Sequence, residues 1–185
     1  MISPLCFHRK IKGVGMDARI SAYYPCINNV KTVPVFGYAT KGIPGLEIIG
    51  LGKYGKNIKE KFVYLARKEK IKIPLKRYVV CIEGDLEDID HILLNNRWFE
   101  LPIFIVYWSM AELLPIKKLD NCLCAGKIDI TGKIINADYS GGINWLFDDD
   151  HSYKLIAPQN SFVALDIPII PLEEILRNIK YLKIL

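Results

Sequence analysis

Apolar residues in the first half of the chain gather into four short runs: "ARISAYY" (18–24), "TVPVFGYAT" (32–40), "LEIIGL" (46–51) and "RYVVCIEG" (77–84). Each is rich in β-branched or aromatic residues and bounded by Gly, Pro or Asn, a pattern that predicts strands. Between the third and fourth, Ile58, Phe62, Leu65 and Ala66 recur at helical spacing with lysines around the rest of each turn. That spacing predicts an amphipathic helix over "NIKEKFVYLARKEK". Asn57 is placed to cap it, and Glu60 stands three residues later in the capping-box position.

The second half opens with "GDLEDIDHILLNNRWFE", which has no clean period and reads as a loop with a short helical turn. The run "LPIFIVYWSMAELLP" (101–115) follows, with Pro102 in a first turn; it is shorter than the about 20 residues that cross a bilayer and reads as a buried helix. "GKIDITGKIINADYS" predicts a hairpin with arms "KIDI" and "KII" joined through Thr131 and Gly132. Short strands are expected at "YKLIAP" and "IPIIP". From Pro171 the pattern predicts a closing helix, "PLEEILRNIKYLKIL". Glu173 and Glu174 lie in its first turn, Lys180 and Lys183 near its end, and Leu172, Ile175, Leu176, Ile179 and Leu182 form its buried stripe. The sum is one α/β (α+β) domain over residues 1–185, a mixed sheet covered by helices, with no internal repeat.

Composition fits that picture: 51% hydrophobic and 24% charged residues in a chain of 185 are enough for one buried core. The formal charge of +5 permits a nucleic-acid or acidic partner without arguing for one. The five cysteines, Cys6, Cys26, Cys81, Cys122 and Cys124, include no C-x-x-C pair. Cys122 and Cys124 are expected on opposite sides of a strand, which would keep them from sharing a metal, and all five read as reduced thiols of a cytoplasmic protein. The start, "MISPLCFHRKIKG", is basic and has no apolar run of signal-peptide length. No membrane partner and no cofactor are expected.

Candidate chemistry is sparse. Gly50-x-x-x-x-Gly55-Lys56 matches the first seven positions of a phosphate-binding loop, but Asn57 replaces the hydroxyl that holds magnesium. The acidic group Glu83, Asp85, Glu87, Asp88 and Asp90 beside His91, and the "DDDH" of 148–151, lack the spacing of a calcium loop. No G-x-S-x-G turn occurs; Cys81 with His91 is the remaining nucleophile–base pair, and a thiol within an apolar strand more often belongs to the core. The best candidate for phosphate contacts is the basic stretch 53–77, which includes Lys53, Lys56, Lys59, Lys61, Arg67 and Lys68, with Tyr54 and Tyr64 as stacking faces.

One ordered set of motifs resembles a known family. "GIPGLEIIGL" (42–51) is similar to the signature turn and strand near the start of the ComM/YifB proteins, magnesium-chelatase-like AAA+ proteins of bacteria. The helix start at Ile58, Lys59 and Glu60, then "IKIPLKRYVVCI", "ELPIF" and "AGKIDITGKI", follow in that family's order and spacing. The resemblance implies an N-terminal domain of Lon-protease-like fold, shared with the second domain of a small-subunit ribosomal protein. Gly42, Pro44 and Gly45 form its signature turn, the two glycines being expected in conformations that a side chain would resist.

The Lon-type Ser-Lys dyad carries over to the neighbourhoods of Trp98 and Gly141, neither of which can attack or act as base; the nearest substitutes are Ser109 and Lys133. Residues 1–41 are divergent, "CIEGDLEDIDHILLNN" departs from the family pattern, and the AAA+ module that follows in the family has no counterpart in this sequence. The expectation is a catalytically inactive domain that acts as a binding or assembly module. Its partner would be an AAA+ ATPase, another copy of itself, or DNA through Lys56, Lys59, Arg67 and Lys68. A divergent Cys81/His91 hydrolase and a remnant of a longer AAA+ protein are the alternatives.

Overall fold

The computed structural model describes residues 17–26, 29–83, 98–115, 119–137, 153–159, 167–179 and 182–184. Its first unit is a long antiparallel hairpin of β1 (Asp17–Cys26) and β2 (Asn29–Thr40), paired from Asp17↔Tyr38 to Cys26↔Asn29. Residues read from sequence as a divergent segment thus supply two central strands. β2 pairs antiparallel with β4 (Arg77–Ile82), and β4 pairs in parallel with β3 (Gly45–Ile49). The crossover between those parallel strands is α1 (Gly52–Lys68).

On the other side of β1 the sheet continues in parallel through β5 (Cys122–Cys124), β8 (Lys154–Ala157) and β9 (Ile169–Pro171). The seven-stranded order is β3-β4-β2-β1-β5-β8-β9, a mixed sheet as expected. A second, three-stranded sheet sets β7 (Lys133–Asn136) between β6 (Gly126–Ile128) and β10 (Lys183–Ile184). The remaining helices are α2 (Glu100–Met110) and α3 (Leu172–Leu176).

Period-two alternation divides the strands between two faces. Ile20 and Ala22 of β1, Val33 and Val35 of β2, Tyr78, Val80 and Ile82 of β4, and Ile156 of β8 join one core with Ile58, Phe62 and Leu65 of α1. α2 runs through this core, and every one of its residues except Ser109 is buried. A helix apolar on all sides is a core helix, and its aromatic rings set its seat. Phe104 meets Phe62 edge-on at 5.3 Å and stacks on Trp108 at 4.6 Å, while Tyr107 meets Tyr78 edge-on at 5.1 Å. On the opposite face, Tyr23, Leu123, Leu155 and Ala157 form a smaller cluster with Trp98, Tyr153 and Ile169 packed against it.

Four expectations are corrected. α1 begins at Gly52 instead of Asn57 and has no side-chain cap. The amides of Tyr54 and Gly55 donate to the Leu51 carbonyl, which starts the helix by backbone alone and leaves Asn57 exposed within it. The closing helix stops at Leu176, after which Lys183 and Ile184 pair in parallel with Lys133 and Ile134. Ile179 and Leu182 still pack on the core, so the apolar stripe is used although the helix is not. Pro171 ends β9 with extended backbone and stands at the N-cap, one place before the helix. Cys122 and Cys124 lie on the same face, both in the helix-side core, because residues two apart on a strand share a side.

The turn before β3 is a fourth correction. Gly42 has φ 154, but Gly45 has no positive φ and is the first residue of β3, with nothing within 4 Å of where a Cβ would sit. The exacting glycine of the stretch is Gly50, with φ 98 and a Cβ position 2.3 Å from the Ile82 carbonyl oxygen.

Candidate functional site

α1 buries Gly55, Ile58, Phe62, Leu65 and Ala66 against the sheet and turns its other side outward. Lys56, Arg67 and Lys68 are exposed on that side, and Lys59 is half-buried at its margin. At 1.5 Å per residue, Lys56 and Lys68 stand about 18 Å apart along the axis. Glu60 is exposed between them, so the row of cations is interrupted. Tyr64 is 48% exposed, whereas Tyr54 packs partly into the core with the Lys53 Nζ 5.4 Å from its ring centroid.

Lys61 does not belong to that surface. Its ammonium donates to Glu100 Oε1 at 2.5 Å and to the Ile128 carbonyl at 2.8 Å, while the Ile128 amide donates to Glu100 Oε2 at 2.8 Å. Glu100 is 1% exposed and Lys61 13%. The Asp129 amide donates to the Lys133 carbonyl, so the next pair, Ile128 and Ile134, is a non-hydrogen-bonded one, and both of these Ile128 backbone groups face outward from β6, an edge strand of the small sheet. The ion pair takes the place of a neighbouring strand and fastens α1, α2 and the hairpin at one point. A lone acid directly before a continuous apolar run, and a lysine flanking Phe62 on the buried side of an amphipathic helix, are the sequence signals that could have revealed it.

Beside this junction lies an open groove of about 620 Å³ lined by Asn57, Glu60, Lys61, Tyr64, Asp129 and Ile130. Its rim is shaped by the β6–β7 turn, where Asp129 Oδ1 accepts from the Thr131 amide and hydroxyl at 2.7 Å each and from the Lys133 amide at 2.9 Å. Partial burial pushes the Asp129 carboxyl up, but these hydrogen bonds and the Lys133 charge outweigh it and hold it below its ordinary range.

Trp98 is half-buried, with the Lys127 ammonium 4.5 Å from its ring centroid. Its carbonyl accepts from the Gly126 amide at 3.0 Å, which ties the backbone of Trp98 to the start of the hairpin. Gly141, His91, Asp85, Glu87, Asp88, Asp90 and the acids of 148–151 lie outside the described residues. Ser109 and Lys133 are not brought together: Ser109 is about 13 Å along α2 from Glu100, the end on which the hairpin docks. Burial pushes the Cys81 thiol up, assisted by Glu47 and Glu83, and pushes Cys122 up and Cys124 well up. All three are thereby held toward the unreactive protonated form.

The phosphate-loop spacing resolves differently from a cradle. With α1 starting at Gly52, Gly55 and Lys56 are helical, and Gly55 lets the helix approach Ile48, whose Cγ2 and carbonyl oxygen would lie 3.2 Å from a Cβ there. Among the described residues no three His, Cys, Asp or Glu side chains converge as metal ligands, and no helix is long and apolar enough to cross a membrane. In comparisons with known proteins, no family model matches the chain and no curated protein is similar to it.

Proposed function

We propose that the chain is a non-catalytic binding or assembly module of ComM/YifB type, working with an AAA+ motor on the same or another polypeptide. The reading leans on Trp98, which the ComM/YifB resemblance sets near the Lon-type nucleophile and which is an indole, half-buried beneath the Lys127 ammonium, with no group able to attack. The arrangement of the motif segments supports it as well. The signature is a turn and edge strand, the next two motifs are α1 and β4, "ELPIF" opens α2, and "AGKIDITGKI" is the hairpin fastened to α2. The raised Cys81 thiol weighs against a Cys81/His91 hydrolase.

The purified protein is expected to release no peptide from unfolded casein and no phosphate from ATP above a blank, and to co-elute in gel filtration with a ComM-type AAA+ module. Reproducible turnover that disappears when a residue of the Lys61 groove is changed would refute the non-catalytic reading. Failure to co-elute would refute the assembly role.

A second reading rests on the outward side of α1, where Lys56, Arg67 and Lys68 are exposed beside the ring of Tyr64. If it contacts nucleic-acid phosphates, affinity for single-stranded DNA falls with salt, with a log–log slope of about −0.7 per phosphate neutralised. Replacing Lys59, Arg67 and Lys68 by alanine then flattens that slope and weakens binding on the order of tenfold or more. Fluorescence anisotropy checks both; a slope unaltered by the triple substitution removes this reading.

A further inference from the structure

Two of the most exposed large apolar side chains lie at the same end of the seven-stranded sheet: Ile43, 88% exposed, and Leu75, 85% exposed. β3 and β4 run in parallel, and Gly45 is level with Arg77 at their start. Ile43 precedes Gly45 by two residues and Leu75 precedes Arg77 by two, so the two tips enter adjacent strands from the same side. The Gly45 amide donates to the Lys76 carbonyl at 3.1 Å, and the Cβ position of Gly42 is 3.5 Å from Arg77 Cβ, which holds the two turns together. Each tip adjoins a proline, Pro44 after Ile43 and Pro74 before Leu75, and Tyr78 Oη donates to the Pro74 carbonyl at 3.0 Å. The apolar tips are therefore held outward by stiff, anchored backbone.

Around them the exposed charge is mostly positive. Lys41 flanks one tip and Lys72 the other, and the C-terminal end of α1 with the turn after it adds Arg67, Lys68 and Lys70 against a single exposed acid, Glu69. Arg77 is engaged by Glu47 at 2.6 Å, and Lys76 reaches Glu112 at 3.7 Å, so those two cations are partly neutralised. Convex aliphatic knobs ringed by lysine fit a yielding apolar layer beneath a negative surface. A rigid protein partner would need a matching pair of hollows, and two side chains alone fall well short of the about 1,000 Å² of a stable protein interface.

We propose that this end of the molecule binds the surface of an anionic lipid bilayer, with Ile43 and Leu75 entering the headgroup–acyl boundary and Lys41, Lys70 and Lys72 meeting the lipid phosphates. Surface binding of this kind needs no membrane-crossing helix, and it stands independently of the AAA+ reading.

The test is co-sedimentation of the full chain with vesicles of phosphatidylcholine alone and with vesicles containing about 30% phosphatidylglycerol, near physiological salt, where the Debye length is about 8 Å. Binding is expected only to the anionic vesicles. An Ile43→Asp/Leu75→Asp protein should lose it on the order of tenfold or more, since apolar insertion and charge act together. Both positions are almost fully exposed, so its thermal unfolding should match the parent's, and the lost binding cannot be laid to misfolding. No binding to anionic vesicles overturns the proposal. So does binding that the double substitution leaves unchanged, which would assign the affinity to a general polyanion interaction of the α1 cations. Equal binding to both vesicle types overturns the role of the lysines.

Discussion

A Glu100→Ala protein is expected to lose about 3–5 kcal/mol of stability in urea unfolding, a large share of the about 5–15 kcal/mol that holds a folded domain together. The loss has two sources. The Lys61 ammonium, 13% exposed, would lose the Glu100 carboxylate, and the Ile128 amide would lose its acceptor at the covered edge of β6. The second source makes this pair unlike an ordinary buried ion pair, which apolar residues of similar volume often replace without loss. Here the double variant Lys61→Met/Glu100→Leu should remain destabilised, because both outward groups of Ile128 stay unpaired. Recovery of parental stability by the double variant would show that the pair serves only its own charges and does not complete the strand edge.

The second large effect concerns "GIPGLEIIGL" itself. Gly50→Ala is expected to cost about 4 kcal/mol or more, the range reserved for strain that the structure cannot relax. Its φ of 98 disfavours any side chain, and the added Cβ would stand 2.3 Å from the Ile82 carbonyl oxygen, a backbone atom at the end of β4 that has no rotamer to change. Gly45→Ala in the same stretch should be neutral or stabilise by up to about 1 kcal/mol, since open space surrounds its Cβ position and alanine lowers the entropy of the unfolded chain. Thermal unfolding of the two variants side by side provides the comparison. Similar losses for both would overturn this account of which glycine the turn depends on.

The elements legible in the sequence were those whose pattern depends on one face of one segment. Ile58, Phe62, Leu65 and Ala66 marked the buried side of α1, and the continuous apolar run after Glu100 marked a core helix. Boundaries were less legible. Asn57 carries the right side chain for a cap, yet the helix starts five residues earlier because the Leu51 carbonyl accepts the first amides unaided. The chain end followed a helical period to Leu182, but β7 offered an open edge to Lys183 and Ile184, and pairing with it outweighed local propensity. The candidate site was visible only where a local cluster displays it, as on α1. The junction of Lys61, Glu100 and Ile128 joins residues 39 and 67 positions apart; local pattern flags the lysine and the acid one by one, but only the fold pairs them.

The order of strands carries one more consequence. β1 to β4 come from residues 17–82, and their neighbours in the sheet lie close in sequence. The remainder of the large sheet joins them through β1 and β5 alone, in a parallel register of two pairs, Ser21↔Leu123 and Ala22↔Cys124. Chain-closure entropy for linking the two halves is thus concentrated at one short seam, across about a hundred residues, where parallel pairing is intrinsically slow. The hairpin-and-crossover half has its partners at hand as soon as β4 is made, and β5 acts as the latch that commits the later half to it.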